Sequence, residues 1–381
     1  MNRKVNILGT RGIPAKYGGF ETFAERLALY LVDRGWEVTV YCQTDGKVME
    51  VKSWRGIRLV EIPVPRQGAI GSILFDFKAT LHSAQQDGLC LVLGYNTAIF
   101  SLLYSLKGRT SVMNMDGIEW KRDKWSSLAK AWLWLNEHCG AWLSNHMIAD
   151  HPEIKNYLGK YQADERITVI PYGTDPVVKA DEELLAPYGL VAGEYALVIA
   201  RAEPENSIED IVRAFSQRQR GVKLFVLGNY RPEENPYHER VLAAASEEVI
   251  FPGAIYDQET VKALRFYARL YIHGHTVGGT NPSLVEALAA NSSVLAHNNR
   301  FNRWVAGTDA HYFQGESECA QKLDQLLENQ DELTKMKQGS EKRYQEEFSA
   351  LRELKAYEEL LISYLPQEST STKKIVRPSI D

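Results

Sequence analysis

The chain has 381 residues, of which 44% are hydrophobic and 24% charged, and its formal net charge is −5. This composition is typical of a water-soluble globular protein, and the length predicts two domains rather than one. Apolar runs are all much shorter than a membrane-spanning helix, which argues against an integral membrane protein. We also expect no secretory signal peptide, because the short apolar run after Met1–Lys4 ends at Gly9.

The four cysteines are far apart and show neither a CxxC pair nor the Cys/His spacing of a zinc site. They favour a reducing compartment, so we predict a cytoplasmic protein without a metal site. Residues 1–175 carry 21 Lys and Arg against 18 Asp and Glu, which leaves 23 against 31 for residues 176–381. The slightly basic first half is compatible with peripheral binding to the anionic inner face of the plasma membrane.

The opening of the chain predicts a βαβ unit with a long, glycine-rich first turn. A strand at 4–8 is followed by glycines up to Gly19, a helix at 20–34 and a strand at 38–42. The spacing is not GxGxxG, and the second strand ends in Cys42-Gln43-Thr44, where a dinucleotide-binding unit would carry an acid. We therefore predict that the protein uses no nicotinamide cofactor.

Short apolar runs at 57–62, 89–93 and 111–115 continue the pattern of a parallel sheet. Open α/β sheets bind ligands at the carboxyl ends of their strands, and Asp116 follows one of these runs directly. Asp116 is therefore a candidate catalytic acid or base. The alternative is that it is only the turn residue before a glycine.

A basic and aromatic segment at 121–125 precedes a helix that carries Trp132, Trp134 and Trp142. Most tryptophans in such a helix belong to the core, but one or two of these could line an acceptor site or a membrane-facing surface.

A second α/β series begins after the connection at 171–194, with predicted strands at 196–200, 223–227, 249–251, 270–272 and 294–297. We predict four segments along the chain. They are an N-terminal Rossmann-like domain at 1–175, a C-terminal Rossmann-like domain at 176–345, a helix at 346–365 that returns to the first domain, and a flexible tail at 366–381.

The stretch Tyr271–Ala290 reads as a strand, a glycine loop and a helix N-terminus in direct succession. Asn281 suits the N-cap and Pro282 the first helical position, so unpaired N–H groups would point over Gly278-Gly279-Thr280 and bind a phosphate. Glu286 lies about one turn into the helix and would reach the loop, where a carboxylate suits sugar or ribose hydroxyls. The pattern indicates a nucleotide-sugar pocket, with an ordinary βα unit as the alternative.

These motifs together resemble the family-four retaining glycosyltransferases of the GT-B fold, and more closely the bacterial rhamnosyltransferase-type subgroup of surface-polysaccharide assembly. The resemblance covers nearly the whole chain, in order. The residues that carry it are GTRGIPAKYGGFET (9–22), MDGIEWKRDKW (115–125), IPYGTD (170–175), ARAEPEN (200–206), FVLGN (225–229) and HGHTVGGTNPSLVEALA (273–289). It implies an α/β GT-B fold in which two Rossmann-like, doubly wound domains face a cleft.

The resemblance assigns Glu286 to the nucleotide ribose and Arg201 to the diphosphate. The family's first acid falls at Gly278 here, and its usual lysine is replaced by Asn206. Backbone groups of the loop would then recognise the donor sugar. The residues predicted to bind the donor are Gly18, Gly19, Arg201, Asn206, Gly278, Gly279, Thr280, Asn281 and Glu286. The predicted catalytic residues are Asp116, Arg201 and Glu286. The residues predicted to bind the acceptor are Lys16, Glu21, Trp120, Lys121 and Arg122.

The implied reaction needs no metal and no cofactor, because Arg201, the Gly18-Gly19 amides and the helix at Asn281 would stabilise the departing diphosphate. We predict transfer of L-rhamnose from dTDP-L-rhamnose to a lipid-linked saccharide in cell-surface polysaccharide synthesis, with no nucleic-acid partner. Two alternatives remain open. They are a GT-B sugar-nucleotide epimerase and a non-catalytic partner that binds a nucleotide sugar.

Overall fold

The structure is a computed structural model that describes residues 3–15, 18–65, 68–122 and 125–365. Lys16 and the predicted tail at 366–381 lie outside the described residues. The chain separates into two compact units. Unit one holds the described residues up to Asn114, Leu143–His146 and those from Tyr357 on, and unit two holds Met115–Trp142 and Met147–Ala356.

Eight strands form the first sheet. They are β1 (Lys4–Leu8), β2 (Glu37–Thr44), β3 (Glu50–Trp54), β4 (Ile57–Pro63), β5 (Leu89–Leu93), β6 (Ser111–Asn114), β7 (His146–Ala149) and β8 (Ile167–Val169). Their order is β3-β4-β2-β1-β5-β6-β7-β8. β1 pairs in parallel with β2 and β5, whereas β3 runs antiparallel to β4.

Six strands form the second sheet, which lies in unit two. They are β9 (Tyr195–Ile199), β10 (Lys223–Leu227), β11 (Val249–Ile250), β12 (Leu270–His273), β13 (Val294–His297) and β14 (His311–Phe313). Their order is β11-β10-β9-β12-β13-β14, and all the pairs are parallel. The strand order reverses direction between β9 and β12, which is the point where doubly wound sheets bind ligands.

Thirteen α-helices occur in the described part of the chain. They are α1 (Gly19–Asp33), α2 (Gly68–Ser83), α3 (Leu102–Lys107), α4 (Ser127–Leu143), α5 (Pro152–Leu158), α6 (Ile208–Ser216), α7 (Pro236–Ala243), α8 (Gln258–Phe266), α9 (Pro282–Ala289), α10 (Arg300–Ala306), α11 (Gly315–Leu326), α12 (Gln330–Arg343) and α13 (Ala350–Ser363).

Apolar side chains of the second sheet point alternately to its two faces, and each face has its own hydrophobic core. Tyr195 and Leu197 of β9 belong to one cluster of buried apolar residues, and Ala196 and Val198 belong to the other. Because successive side chains of a strand point to opposite faces, a continuous apolar run is what a sheet covered on both sides requires. α9 packs on the first of these faces through Leu284, Val285 and Leu288, which fixes its N-terminus beside the sheet edge.

The prediction of two parallel α/β sheets is confirmed, and the strands predicted at 89–93, 223–227 and 294–297 have those bounds. β3 was missed because its exposed residues lack an apolar pattern. The missed signal was the Arg55-Gly56 turn, where both residues have positive φ, as type I′ hairpin turns require.

The two C-terminal helices α12 and α13 are separated by an interruption. α12 continues into a π-turn at Tyr344–Phe348, and Ser349 is extended because it forms a β-bridge with Thr174. Within unit one, Glu358 of α13 accepts a hydrogen bond from Trp36 Nε1 (3.1 Å) and pairs with Arg34 Nε (2.9 Å).

Gly9 tests how tightly the first glycine turn is packed. Its φ is +87°, and a Cβ there would overlap the backbone carbonyl of Leu93. We expect Gly9→Ala to lower the free energy of unfolding by about 3 kcal/mol, because strain and overlap act together. Gly108→Ala is the control, since Gly108 has φ +61° but open space around it, and should cost only about 1 kcal/mol. Equal losses in denaturant unfolding would show that overlap at Gly9 contributes nothing.

Candidate functional site

A cavity of about 720 Å³ lies at the carboxyl ends of β9 and β12. It is lined by the loop that follows β9, the loop that follows β12 and the first turns of α9. The lining residues that matter below are Arg201, Asn206, His275, Asn281, Ser283 and Glu286. Four of these, all except His275 and Ser283, belong to the predicted donor set, so the fold brings distant parts of that set together. Of that set, Gly278, Gly279 and Thr280 are not among its lining residues, although they belong to the loop that leads into α9.

The N-terminus of α9 has the capped form expected from the sequence. The Asn281 side chain accepts a hydrogen bond from the Ser283 amide (3.0 Å), and Pro282 occupies the first turn. Gly279 has φ +110°, a conformation that side chains rarely adopt. The prediction of unpaired N–H groups is wrong for the first turn of α9, because the amides of Ser283, Leu284 and Val285 all donate to Asn281. The dipole of this eight-residue helix still provides partial positive charge for an anion.

Glu286 is not a free carboxylate. Its Oε2 lies 2.5 Å from a terminal nitrogen of Arg265, whose side chain is almost completely buried. The same arginine approaches Ser283 Oγ at 3.4 Å, while its Nε is buried without a hydrogen-bond partner. Sequence reasoning missed Arg265, because nothing in the pattern of α8 relates it to a residue 21 positions further on. The pair neutralises the acid and holds its carboxylate at the cavity wall.

Asn206 is buried and closely held by three neighbours. Its Nδ2 donates to the Arg201 carbonyl (2.8 Å), and its Oδ1 lies 2.6 Å from His275 Nδ1. A Cβ on Gly274 would overlap the backbone oxygen of Asn206, so the loops after β9 and β12 are in close contact. His275 was not predicted as a site residue, although the HGH sequence before the glycine loop was a signal.

Arg201 reaches out from the β9 loop, and its side chain is 61% exposed. One of its terminal nitrogens lies 3.6 Å from Glu205 Oε1, the oxygen that Arg122 also binds at 2.7 Å. Arg122 in turn pairs with Glu119 at 2.7 Å. Because the Glu205 carboxylate is bound more closely by Arg122, Arg201 keeps hydrogen-bonding capacity for a ligand anion.

Asp116 and Asp150 form a pair of interacting acids in unit two. Asp116 has a φ of +50°, and Asp150 follows β7. The Asp150 carboxylate accepts from the Thr280 amide at 2.8 Å, and the Asp150 carbonyl accepts from the Thr280 hydroxyl. Burial, and then the charge of Asp116, raise the pKa of Asp150 to about 8. Asp150 was missed, because the sequence shows it only as the residue after a short apolar run.

Asp150 also leaves no room for a side chain at Gly279. A Cβ at Gly279 would lie 2.8 Å from Asp150 Oδ2, and the other carboxyl oxygen, Oδ1, is buried without a hydrogen-bond partner. Asp150 therefore holds the glycine loop through Thr280, next to the predicted catalytic residue Asp116.

The predicted acceptor residues Trp120, Lys121 and Arg122 form a short 3-10 turn and its cap. Trp120 Nε1 donates to Glu137 (3.1 Å), which is buried in α4 and also accepts from Tyr157 at 2.7 Å. Lys121 lies over both the Trp120 and Tyr157 rings. The tryptophan is therefore held rigidly by a hydrogen-bonded carboxylate.

Gly18, Gly19 and Glu21 belong to unit one. Gly18 has φ +100° and precedes α1, and Glu21 accepts from the Arg11 amide at 3.0 Å. Glu21 also lines a second cavity of about 610 Å³, together with polar residues of β2 and its following loop. The roles predicted for these residues stay predictions.

In the described part of the chain, His, Cys, Asp and Glu side chains nowhere form a group of three or more that could hold a metal ion. Among the described helices, none is both long and apolar enough to cross a bilayer.

Two protein families match different parts of the chain. Residues 2–175 match the family described as domain of unknown function DUF1972, and residues 187–343 match the family described as glycosyl transferases group 1. No curated protein matches the chain.

Solved structures match over nearly the whole length. Sucrose-phosphate synthase from Thermosynechococcus elongatus has a TM-score of 0.77 at 16% identity, with 95% of this chain and 98% of that chain covered. HepE from Anabaena in complex with UDP has a TM-score of 0.74 at 15% identity, with 95% and 100% covered. A glycosyltransferase from Rickettsia africae has a TM-score of 0.74 at 14% identity, with 97% and 100% covered. At these identities the likeness concerns the fold.

The raised pKa of Asp150 leads to a prediction of how the free energy of unfolding depends on pH. The folded protein keeps a proton on Asp150 up to about pH 8, whereas an unfolded aspartate loses it near pH 4, so this group's contribution to stability falls as pH rises between those values. Asp150→Asn removes the titration. We expect the stability of the variant relative to the wild type to increase between pH 5 and pH 8, by up to about 1.4 kcal/mol per pH unit.

Asp257→Asn is the matched control in the same unit. Hydrogen bonds from Thr260 lower the pKa of Asp257, so its contribution is lost only as pH falls below about 4. Denaturant unfolding between pH 5 and pH 8 should then show the wild-type slope for Asp257→Asn and a changed slope for Asp150→Asn. Parallel curves for all three proteins would mean that Asp150 is ionised in the folded state.

Proposed function

Because residues 187–343 form a glycosyl transferases group 1 domain and the chain has the GT-B fold, we propose that this protein is a retaining, metal-independent glycosyltransferase that uses a nucleotide-sugar donor. The observation that carries the proposal is the cavity between the β9 loop and α9, which joins a helix N-terminus, an exposed arginine and a positioned carboxylate.

Each part of the donor has a matching group in this cavity. Arg201 suits the diphosphate, since guanidinium donors bind phosphate oxygens, and the positive end of the α9 dipole favours the same negative charge. The Glu286 carboxylate, held by Arg265, suits the two ribose hydroxyls. HepE, which shares the fold, has been solved in complex with UDP and with UDP-glucose, which supports a nucleotide sugar as the ligand class.

The proposed chemistry follows from where charge develops. Breaking the sugar–phosphate bond leaves negative charge on the diphosphate, and Arg201 and the α9 N-terminus are placed to stabilise it. The acceptor hydroxyl attacks from the same face, and its proton passes to a donor phosphate oxygen. The anomeric configuration is thereby retained without a protein nucleophile. Asp116, beside Asp150, would orient a sugar or acceptor hydroxyl.

We further propose dTDP-L-rhamnose as the donor and a lipid-linked saccharide of cell-surface polysaccharide synthesis as the acceptor. Both rest on the resemblance to the rhamnosyltransferase-type subgroup.

An exposed aromatic surface supports a membrane-bound acceptor. Leu128, Trp134 and Trp142 of α4 are 83%, 47% and 63% exposed, and His138 packs between the two tryptophans and Tyr161. Lys160 lies beside this surface, over the Tyr157 ring. Exposed tryptophan and leucine next to lysine suit the interface of an anionic bilayer, where the protein would bind peripherally from the cytoplasmic side.

Nucleotide binding tests the proposal directly. We expect titration calorimetry without added metal to show binding of one among UDP-, dTDP- and GDP-sugars, with Arg201→Gln weakening it about 10- to 100-fold through the loss of charge-assisted hydrogen bonds. Arg213→Gln is the control, because Arg213 is an exposed arginine paired with Glu209 on the outer side of α6.

The outcomes separate the candidate functions. Selective binding with acceptor-dependent release of the nucleoside diphosphate supports the transferase. A changed sugar without any acceptor would indicate an epimerase, and binding without turnover would indicate a non-catalytic partner. Failure to bind any of the three donors would contradict the proposal as a whole.

Co-sedimentation with vesicles tests the membrane surface. We expect the wild type to bind vesicles of anionic phospholipid, and the double variant Leu128→Ser/Trp142→Ser to bind at least about tenfold less, because the apolar area that would enter the interface is removed. Val178→Ser is the control, since Val178 is 79% exposed in the same unit but lies apart from α4 in the sequence. Equal binding of all three proteins would rule out this surface as the contact.

A further inference from the structure

The positive charge offered by the cavity is small for a diphosphate ligand. Of the arginines that line the cavity, Arg265 binds Glu286 at 2.5 Å and Arg231 pairs with Glu234 at 3.2 Å. Arg201, 3.6 Å from Glu205, is the one held least closely by an acid. Asn206 stands where the resemblance leads one to expect a lysine, and it is neutral. A nucleoside diphosphate bound here would bring at least two negative charges, so a second cation would be favourable.

The hydrogen bonds around Asn206 assign the proton on His275. Asn206 Nδ2 donates to the Arg201 carbonyl, so its Oδ1 faces His275 and can only accept. The His275 Nδ1 at 2.6 Å therefore carries the hydrogen. Nε2 is left as the acceptor nitrogen of a neutral ring that lines the cavity.

The position of His275 is fixed from the opposite side as well. Its carbonyl oxygen accepts from the side chains of Asn299 (2.9 Å) and Asn302 (2.8 Å) at the start of α10. The backbone and the Nδ1 side of the ring are thus both held, which fixes the imidazole at the cavity wall.

The surroundings keep His275 neutral when the cavity holds no anion. Burial, together with the charges of Arg122, Arg201 and His297, lowers the pKa of His275 to about 4, and the charge of Glu205 only partly opposes them. His273, the last residue of β12 and two positions before His275, lies 6.0 Å away ring to ring, and burial lowers its pKa as well. An anion beside the ring would reverse this balance.

We propose that His275 takes up a proton at Nε2 when a nucleotide sugar binds and donates it as a hydrogen bond to the diphosphate, so that the Asn206–His275 pair acts as the second cation of the site. The inference rests on the proposed donor cavity. The proton comes from solvent, remains on the imidazole while the departing diphosphate is bound and returns to solvent when that product leaves. Asn206 is then a positioning residue, which sets the tautomer.

Proton uptake on binding is the measurement that tests this. The probe is UDP-glucose or dTDP-glucose, whichever binds more tightly, because the phosphates of a nucleotide sugar do not titrate near neutral pH. Binding enthalpies at pH 7 in buffers of different ionisation enthalpy give the number of protons taken up. We expect about one for the wild type and close to none for His275→Gln, with affinity lowered about tenfold.

His311→Gln is the control, because His311 pairs with Glu332 away from the cavity. It should keep the wild-type uptake. Imidazole nitrogen NMR signals of the wild-type protein give a second measurement that needs no variant, since one histidine should change from neutral to doubly protonated on addition of the probe.

The outcomes distinguish this inference from the function on which it rests. Binding without proton uptake, or the same uptake in His275→Gln, would overturn the role of His275 and leave the donor cavity intact. Absence of binding by these probes and by every other nucleotide sugar of the calorimetric series would overturn both.

Discussion

The close contact of two loops, one after β9 and one after β12, is the constraint on which the site depends. Gly274 has no room for a side chain because the Asn206 backbone passes beside it. Next to it, Thr276 donates its amide to the Glu205 carbonyl at 2.9 Å. This contact bridges the two strands between which the sheet order reverses, so it determines where Arg201 and His275 project and where the chain enters α9.

Three acids near the proposed diphosphate site are prevented from opposing an anion. Glu286 is neutralised by a buried arginine, Glu205 lies between two arginines, and Asp150 keeps its proton at neutral pH. A free carboxylate at any of these positions would repel phosphate oxygens across a medium of low dielectric constant. Pairing and protonation thus allow acids that can recognise hydroxyl groups to remain beside a site for negative charge.

What could be predicted from the sequence was local. The N-cap predicted at Asn281 depends on neighbours a few residues away, and it was found as expected. The partners that determine the electrostatics come from far along the chain. Asp150 meets Thr280 across 130 positions and His275 meets Asn206 across 69, and no periodicity or spacing encodes such contacts. The doubly wound topology was predictable because short apolar runs and their punctuation repeat, whereas β3 has no such pattern.

The absence of an acid at position 278 has a packing reason. A Cβ on Gly278 would overlap the Phe301 ring of α10, and that ring packs edge-on against His151 at 5.2 Å. An acidic side chain at this position would therefore require Phe301 to move and would disturb its contact with the segment that begins α5. The loop has instead a neighbouring acid in Asp150, which approaches from β7 and is bound to Thr280. Recognition of a donor sugar in this protein would then depend on backbone groups of the loop and on the Asp116–Asp150 pair. The carboxyl oxygens of this pair offer the hydrogen-bonding groups that an acid at position 278 would have offered, but from a different place.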